Sequence, residues 1–491
     1  MKSKFSKVLS ILLSVVLVIS SFYLLYQVIR LNVLPSKFLF PLTIGVVVLD
    51  AIFILLLIYF SKNVVSKIVC MVLTLFICVA SCMGGYYISK TQNVLSSITN
   101  VAKHAKNTVS VVVKESSSIK NKSQLNGVSV GSLRLNEQGS KKVLKELSSE
   151  GIVLNQTEYD SMTTLLEAFY NGEVDSIIIN ESSRSQILDM EAYSNFDSNT
   201  RVVYQTSYKV KNNDSATSVS DITSKPFNVL ISGSDTRGGF DENGRSDVIM
   251  IATVNPKTHT ILLTSVPRDF YVTTACDAGD GCMQGALDKI THTGIHGTNT
   301  TKRTVEQLLG IEINYTFKVG FDTVTKLVDT LGGVDVTVAP GYAVHNEYIN
   351  VKEGVNHLYG EEALEYARER YAYVEGDRQR TKNQQQVLMG IVKEATKPSV
   401  ITNYAAIMDT MANTFSTTMS NAEITDLIKY QLNNNPTWKM EQYMVDGTGD
   451  TLMCAELGDA ASVMVPDQST VKMAKDKINA VLAGKSSEDV K

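Results

Sequence analysis

The sequence predicts a membrane-anchored α/β protein, with three N-terminal transmembrane helices, a small α/β module and a larger α/β domain. Three observations carry this. Apolar residues concentrate in three early runs, at residues 8–29, 38–60 and 68–88, each close to the roughly 20 residues needed to cross a bilayer. Beyond Lys90 the chain mixes polar and apolar residues as a water-soluble segment does. Within that remainder, short strand-like runs alternate with helical spacing, the pattern of α/β domains. A length of 491 residues exceeds the roughly 100 to 200 of one ordinary domain, so several units are expected.

The first span follows Lys2, Lys4 and Lys7 and has no small-residue cleavage site, and two further spans follow it. An anchor is therefore expected rather than a cleaved signal peptide. The three lysines place the N-terminus in the cytoplasm. Arg30 and Lys37 in the next loop balance Lys62 and Lys67 in the one after, so orientation rests on the first span. Three crossings then leave the chain after Lys90 outside the membrane, a multi-pass topology with extracytoplasmic C-terminal domains. Asp50 falls mid-span, where an ionised carboxylate costs about 2.5 to 3.5 kcal/mol. It is expected to be protonated or paired, packed against Gln27 or Thr74, with a functional relay as the alternative.

A net charge of −4 argues against broad nucleic-acid binding. In this topology the cytoplasmic parts are a tail of about seven residues and a short loop, too small for any DNA-reading module, which weighs against a transcriptional role. Six cysteines make no disulfide scaffold at this length, and Cys70, Cys78 and Cys82 belong to the third span. Cys276 and Cys282 flank Asp-Ala-Gly-Asp-Gly, face an oxidising compartment, and are expected to close a small loop as a disulfide. Two unpaired thiols are the alternative, and a zinc site lacks two further ligands.

The predicted boundaries are an anchor at 1–90, an accessory domain at 91–211, a polar linker at 212–224 and a large domain at 225–485. In the accessory part, a short strand at 128–130, helices at 139–151 and 161–172 and a buried strand at 174–179 suggest a small α/β module that vaguely resembles half of a solute-binding domain. In the large domain, strands are expected at 227–231, 247–254 and 259–266, with Asn255-Pro-Lys-Thr258 as a turn. A helix at 321–331, stopped by Gly332-Gly333, and a strand at 334–338 follow.

If the strands around Asn255-Pro256 form a hairpin, antiparallel pairing sets Arg268 almost beside Asp247 at one sheet end. Asp235 follows another strand and would join them. Two carboxylates and an arginine suit a hard divalent cation beside a phosphate. Turn aspartates with an ordinary salt bridge are the plainer alternative. A second cluster runs from Tyr366-Ala-Arg368-Glu-Arg370 to Asp377-Arg-Gln-Arg380 and Gln384. Residues two apart share a side only in extended chain, so a helix starting near Glu361 is expected to end before Arg368. Asp377 is expected to N-cap the next helix, on which Arg380 and Gln384 share one face. Arginines near a helix N-terminus make an anion site, though a solvated charged face would read the same way.

At these residues the chain resembles the LytR-CpsA-Psr family of cell-envelope phosphotransferases, over about residues 225–395. The matching stretches are Leu-Ile-Ser-Gly-Ser-Asp at 230–235, Gly-Arg-Ser-Asp at 244–247, Ser-Val-Pro-Arg-Asp at 265–269, Asp-Lys-Ile-Thr-His at 288–292, Val-Asp-Thr-Leu-Gly-Gly-Val at 328–334, Tyr-Ala-Arg-Glu-Arg at 366–370, and Asp-Arg-Gln-Arg at 377–380 with Gln384. Three spans followed by an accessory domain look most like the branch associated with capsular polysaccharide. The resemblance implies a catalytic domain with a central mixed sheet, and Mg²⁺ or Mn²⁺ held by Asp235 and Asp247. It implies Asp235, Asp247 and Arg268 as the catalytic group. It also implies pyrophosphate contacts from Arg268, Arg368, Arg370, Arg380 and Gln384, with Lys289 and Arg245 as further charged positions. The implied substrate is a polyprenyl-pyrophosphate-linked glycopolymer, the acceptor is peptidoglycan, and other envelope polysaccharide-assembly proteins are candidate partners. Hydrolysis of the same lipid and a purely sensory role are the competing readings. The general base is unassigned.

Overall fold

Three long helices, Lys2–Leu31, Ser36–Leu55 and Val64–Thr99, open the chain, the second continuing through a π-helical turn at Leu56–Phe60. The computed structural model describes residues 2–60, 63–99, 104–234, 242–276, 282–397, 400–411 and 415–490. Asp235 lies outside the described residues, as does the whole Asp-Ala-Gly-Asp-Gly stretch at 277–281. The chain divides into two units, which are taken separately.

The first unit contains the three long helices, each long and apolar enough to cross a membrane. Their burial is inverted relative to a water-soluble bundle. Phe22, Phe40 and Phe76 face outward, while Ser14, Ser20, Ser21, Thr74 and Ser81 are buried between helices. Small and hydroxyl residues let helices approach closely where lipid surrounds the outside. Gly85 shows the fit: a Cβ there would lie 2.4 Å from the Tyr23 ring of the first helix. Asp50 is paired, but its partner is Ser21, whose hydroxyl donates at 2.9 Å. Neither expected partner serves, since Gln27 is buried elsewhere on the first helix and the Thr74 hydroxyl donates to the Cys70 carbonyl of its own helix. This is the usual destination of a helical threonine.

Two later helices, Val400–Met411 and Asn421–Asn434, belong to this same unit rather than to an uninterrupted 225–485 domain. Lys90 pairs with Asp409 at 2.6 Å, Lys37 Nζ donates to the Asn433 carbonyl at 2.7 Å, and Thr99 Oγ1 donates to Asn421 at 2.6 Å. The start of the second helix and the end of the third therefore meet the same C-terminal helix, Asn421–Asn434.

Among the described residues the second unit holds two large sheets and four two-stranded ones. A five-stranded mixed sheet has the order Asn155–Tyr159, Ser129–Leu133, Ser176–Asn180, His104–Lys114, Thr200–Lys211. Helices Glu137–Ser149 and Met162–Asn171 cover its two faces. The apolar run at 177–179 is thereby explained: Ile178 packs in the cluster with Val143 and Leu147, while Ile177 and Ile179 pack with Leu165 and Phe169. The accessory core is not self-contained. Cys454, Leu457 and Val463, at or beside the hairpin Gly447–Cys454/Asp459–Pro466, complete it. The stretch expected as a free linker is docked, with Thr217 N–H on the Asn314 carbonyl at 2.9 Å and Val219 N–H on the Tyr315 hydroxyl at 2.9 Å.

The second sheet has six strands in the order Phe415–Thr417, Tyr315–Gly320, Phe227–Ser234, Val248–Asn255, Thr260–Ser265, Lys439–Met444, with parallel and antiparallel pairs mixed. Helices Thr298–Leu309 and Gln468–Leu482 bury Val305, Leu309, Ala474, Ile478 and Val481 against Leu230, Ile249, Ile251 and Leu262. Helix Phe321–Leu331 and strand Val334–Val338 have the predicted bounds. Between them Gly332 and Gly333 take φ of 89° and 100°, where a side chain would be strained.

Candidate functional site: a buried arginine cluster at one sheet end

The hairpin Val248–Asn255/Thr260–Ser265 pairs Met250 with Ser265, and continuing that register sets residue 247 against residue 268. The side chains meet as the geometry requires, with Arg268 Nη1 donating to Asp247 Oδ1 at 2.8 Å. Arg245 Nη2 stands 3.8 Å from the same oxygen and Thr291 Oγ1 3.5 Å from it. The backbone of Asp247 is fixed by its N–H, which donates to the Gly233 carbonyl at 2.8 Å. The strand bearing Gly233 and Ser234 leads directly to Asp235.

Neighbouring contacts lock this corner. Ser246 N–H donates to Thr291 O at 3.0 Å, and its hydroxyl lies 2.9 Å from Ser232 Oγ and 3.1 Å from Thr301 Oγ1. Gly294 lets the chains approach this closely, for a Cβ there would fall 2.5 Å from both the Gly244 carbonyl and Ser246 Oγ. Lys289 Nζ reaches Asp269 Oδ1 at 3.2 Å, and Arg268 Nε stands 3.8 Å from the other Asp269 oxygen.

The helix Asp377–Ala395 brings in Arg380. Asp377 is its first residue rather than its N-cap, and Gly376 turns into it with φ 54°. The carboxylate therefore serves Arg380, at 2.6 Å from Nη2, in a charge contact that is not aligned as a hydrogen bond. Gln384 is half-buried one turn further along the same face. The preceding helix runs Gly360–Arg368, so it includes Arg368 as its last residue instead of stopping before it. Glu369 then turns extended, and Arg370 leaves on a separate course. Arg368 is half exposed, 5.5 Å over the Phe321 ring and 4.0 Å from Glu365, while Arg370 stacks on Tyr371 at 4.7 Å and donates to its hydroxyl at 2.6 Å.

The electrostatics separate these groups. Burial alone would raise the Asp247 carboxyl, but Arg245 and Arg268 outweigh it and hold the pKa below the ordinary value. Burial likewise opposes the charge on Arg268, and Asp247 and Asp269 overcome it, raising the pKa. Arg380 differs. Burial lowers its pKa, Arg268 and Arg370 add repulsion, and Asp377 and Asp247 compensate only in part. The side chains of Arg245, Arg268 and Arg380 are 11, 13 and 11% exposed, and among the described residues each has a buried Nε without a hydrogen-bond partner. The buried hydroxyls of Ser234 and Ser265 likewise have none among the described residues. Buried donors left unpaired are costly, and several converging on one corner form a receptacle for anionic oxygens.

Among the described residues no group of three or more His, Cys, Asp or Glu side chains is arranged to hold a metal. Asp247 and the Ser234 hydroxyl, which has no hydrogen-bond partner among the described residues, are hard oxygen donors, a chemistry that suits Mg²⁺ or Mn²⁺. Cys276 and Cys282 are joined as a disulfide with Cα atoms 5.7 Å apart. Sequence reasoning left Thr291, Gly294 and the pairing role of Asp269 unassigned. Thr291 lay inside the matched 288–292 stretch, but only the folded chain shows its side chain facing Asp247.

The model of the LytR_cpsA_psr family matches residues 192–480. Among curated relatives, a protein of Bacillus subtilis (strain 168) named polyisoprenyl-teichoic acid–peptidoglycan teichoic acid transferase TagU is 36% identical over 196 residues. That match covers 40% of this chain and 60% of the relative. The TagU of Bacillus cereus (strain AH820) is 30% identical over 241 residues, covering 48% of this chain and 76% of the relative. A crystal structure of B. subtilis TagU aligns with a TM-score of 0.41 at 28% identity, covering 52% of this chain and 97% of that one. With the family match spanning more than half of its length, the chain belongs to the LytR-CpsA-Psr family.

Proposed function

We propose that this chain transfers a glycopolymer from a polyprenyl-pyrophosphate carrier to peptidoglycan at the outer face of the membrane. The observation that carries the reading is the trio Arg245, Arg268 and Arg380, three guanidinium groups around one carboxylate whose buried Nε atoms have no hydrogen-bond partner among the described residues. A pyrophosphate supplies the missing acceptors. The relatives named as teichoic acid transferases support the same chemistry.

In the proposed reaction a peptidoglycan sugar hydroxyl attacks the glycan-side phosphorus. A new P–O bond forms, the bridging P–O bond breaks, and polyprenyl phosphate leaves with that electron pair. The hydroxyl proton passes to a general base other than Asp247. Arg268 and Arg380 bind non-bridging oxygens and neutralise charge as it shifts to the leaving phosphate. Arg368, Arg370, Lys289 and Gln384 serve the outer part of the substrate, in keeping with their greater exposure or separate pairing. A divalent cation held by Asp247 and Asp235 would add charge neutralisation on the phosphates. A carboxylate held below its ordinary pKa is a weak base, so Asp247 is assigned to organising charge and not to taking the proton.

Capsular polysaccharide is the polymer we propose, on the layout of three spans and an accessory domain. Chemical analysis of wall-bound sugars in cells lacking the protein tests this. Loss of capsular sugar from the wall is expected. Loss of teichoic acid alone would assign the chain to the polymer named for its relatives, and an unchanged wall would remove the transfer reading.

A further inference from the structure

We propose that Asp189 of the accessory domain is a positioning residue for Arg245, so that the accessory domain completes the pyrophosphate site rather than standing apart from it. The inference rests on the reading of the arginine cluster as a pyrophosphate site. Arg245 Nη1 contacts Asp189 Oδ2, while Nη2 faces Asp247 at 3.8 Å and the buried Nε has no hydrogen-bond partner among the described residues. A guanidinium is a planar fork, so fixing one Nη from outside sets the directions of the other donors. Without Asp189, Arg245 is free to rotate onto Asp247, duplicating the contact Arg268 already makes. Its Nε would then no longer be offered to an anion.

Asp189 is held firmly enough for this role. It ends the short helix Arg184–Asp189. Arg184 is buried, pairs with Glu181 at 2.6 Å and Asp197 at 3.0 Å, and lies 5.4 Å over the Phe196 ring. A second grip acts on the same stretch of chain from another accessory element. Glu242, 4% exposed, accepts from the Thr108 hydroxyl and pairs with Lys106 at 3.2 Å, both on the strand His104–Lys114. Lys318 Nζ donates to the Glu242 carbonyl at 2.7 Å from the catalytic sheet. The segment running from Glu242 to Asp247 is thus clamped by the accessory domain at Glu242 and Arg245, and by the catalytic domain at Glu242, Ser246 and Asp247.

The test is calorimetric binding of inorganic pyrophosphate to the full chain in detergent, at fixed ionic strength, with thermal melting of each variant alongside. Asp189→Ala is expected to weaken binding about 5- to 10-fold with melting unchanged, because the half-exposed Asp189 contributes little to stability. Asp189→Asn keeps an oxygen acceptor and Asp189→Glu keeps the carboxylate, so both are expected to retain affinity within about twofold. Tighter binding in both Asp189→Ala and Asp189→Asn would mean that the residue acts only as a competing negative charge, overturning the proposal. Weakened binding accompanied by lower melting, without rescue by Asn or Glu, would make the residue structural and overturn it as well. Wild-type affinity in Asp189→Ala would remove this inference while leaving the site intact, whereas a wild-type chain that fails to bind pyrophosphate would remove the underlying reading instead.

Discussion

Asp247→Asn is expected to lower glycopolymer transfer by about 10²- to 10³-fold, with part of the loss recovered at high Mg²⁺. Asn preserves the shape and one acceptor for Arg268 but removes the charge that Arg245, Arg268 and Arg380 surround. A cation bound there would lose an anionic ligand and need a higher concentration to occupy the site. The same substitution leaves Arg268 without its 2.8 Å ion pair, and breaking a buried pair destabilises by on the order of 3 kcal/mol. Transfer assays across a Mg²⁺ titration, with melting curves on the same samples, separate the two effects. A stability loss without any metal response would reduce Asp247 to a partner of arginine.

Arg380→Ala is expected to lose activity on a similar scale, about 10²- to 10³-fold, with stability unchanged or raised. Arg380 is buried among like charges, and its pKa is depressed by burial and by Arg268 and Arg370. Removing it relieves repulsion among the arginines while deleting a donor that a bound pyrophosphate needs. Activity and stability therefore move in opposite directions, the mark of a group kept for ligand binding. A large fall in melting temperature with Arg380→Ala would contradict this and make the residue part of the scaffold. The more exposed Arg368 and Arg370 are expected to cost less when replaced.

The sequence made legible whatever follows from local periodicity and one hairpin. The Asp247–Arg268 contact followed from strand pattern and turn position alone, and helix Phe321–Leu331 from apolar spacing and its glycine stop. The membrane helices followed from run length, but the partner of Asp50 did not, because helix rotation decides whether Ser21, Gln27 or Thr74 faces it. Asp377 illustrates a local error. The residue suits an N-cap, yet Gly376 starts the turn early enough to place it in the first helical position. What sequence could not disclose are contacts between distant segments. Asp189 and Arg245 are 56 residues apart, and the accessory core is closed by residues near 454–463, with no periodic signal linking either pair.

The central claim is that the arginine corner transfers a phosphoryl-linked polymer instead of hydrolysing its carrier. Purified full-length chain is given polyprenyl-pyrophosphate-linked polymer with and without peptidoglycan, and the phosphorus products are counted. One polyprenyl phosphate is expected for each new polymer–peptidoglycan phosphodiester, with little release when acceptor is withheld. Equal release of polyprenyl phosphate with and without acceptor, accompanied by free phosphorylated polymer and no phosphodiester, would contradict it.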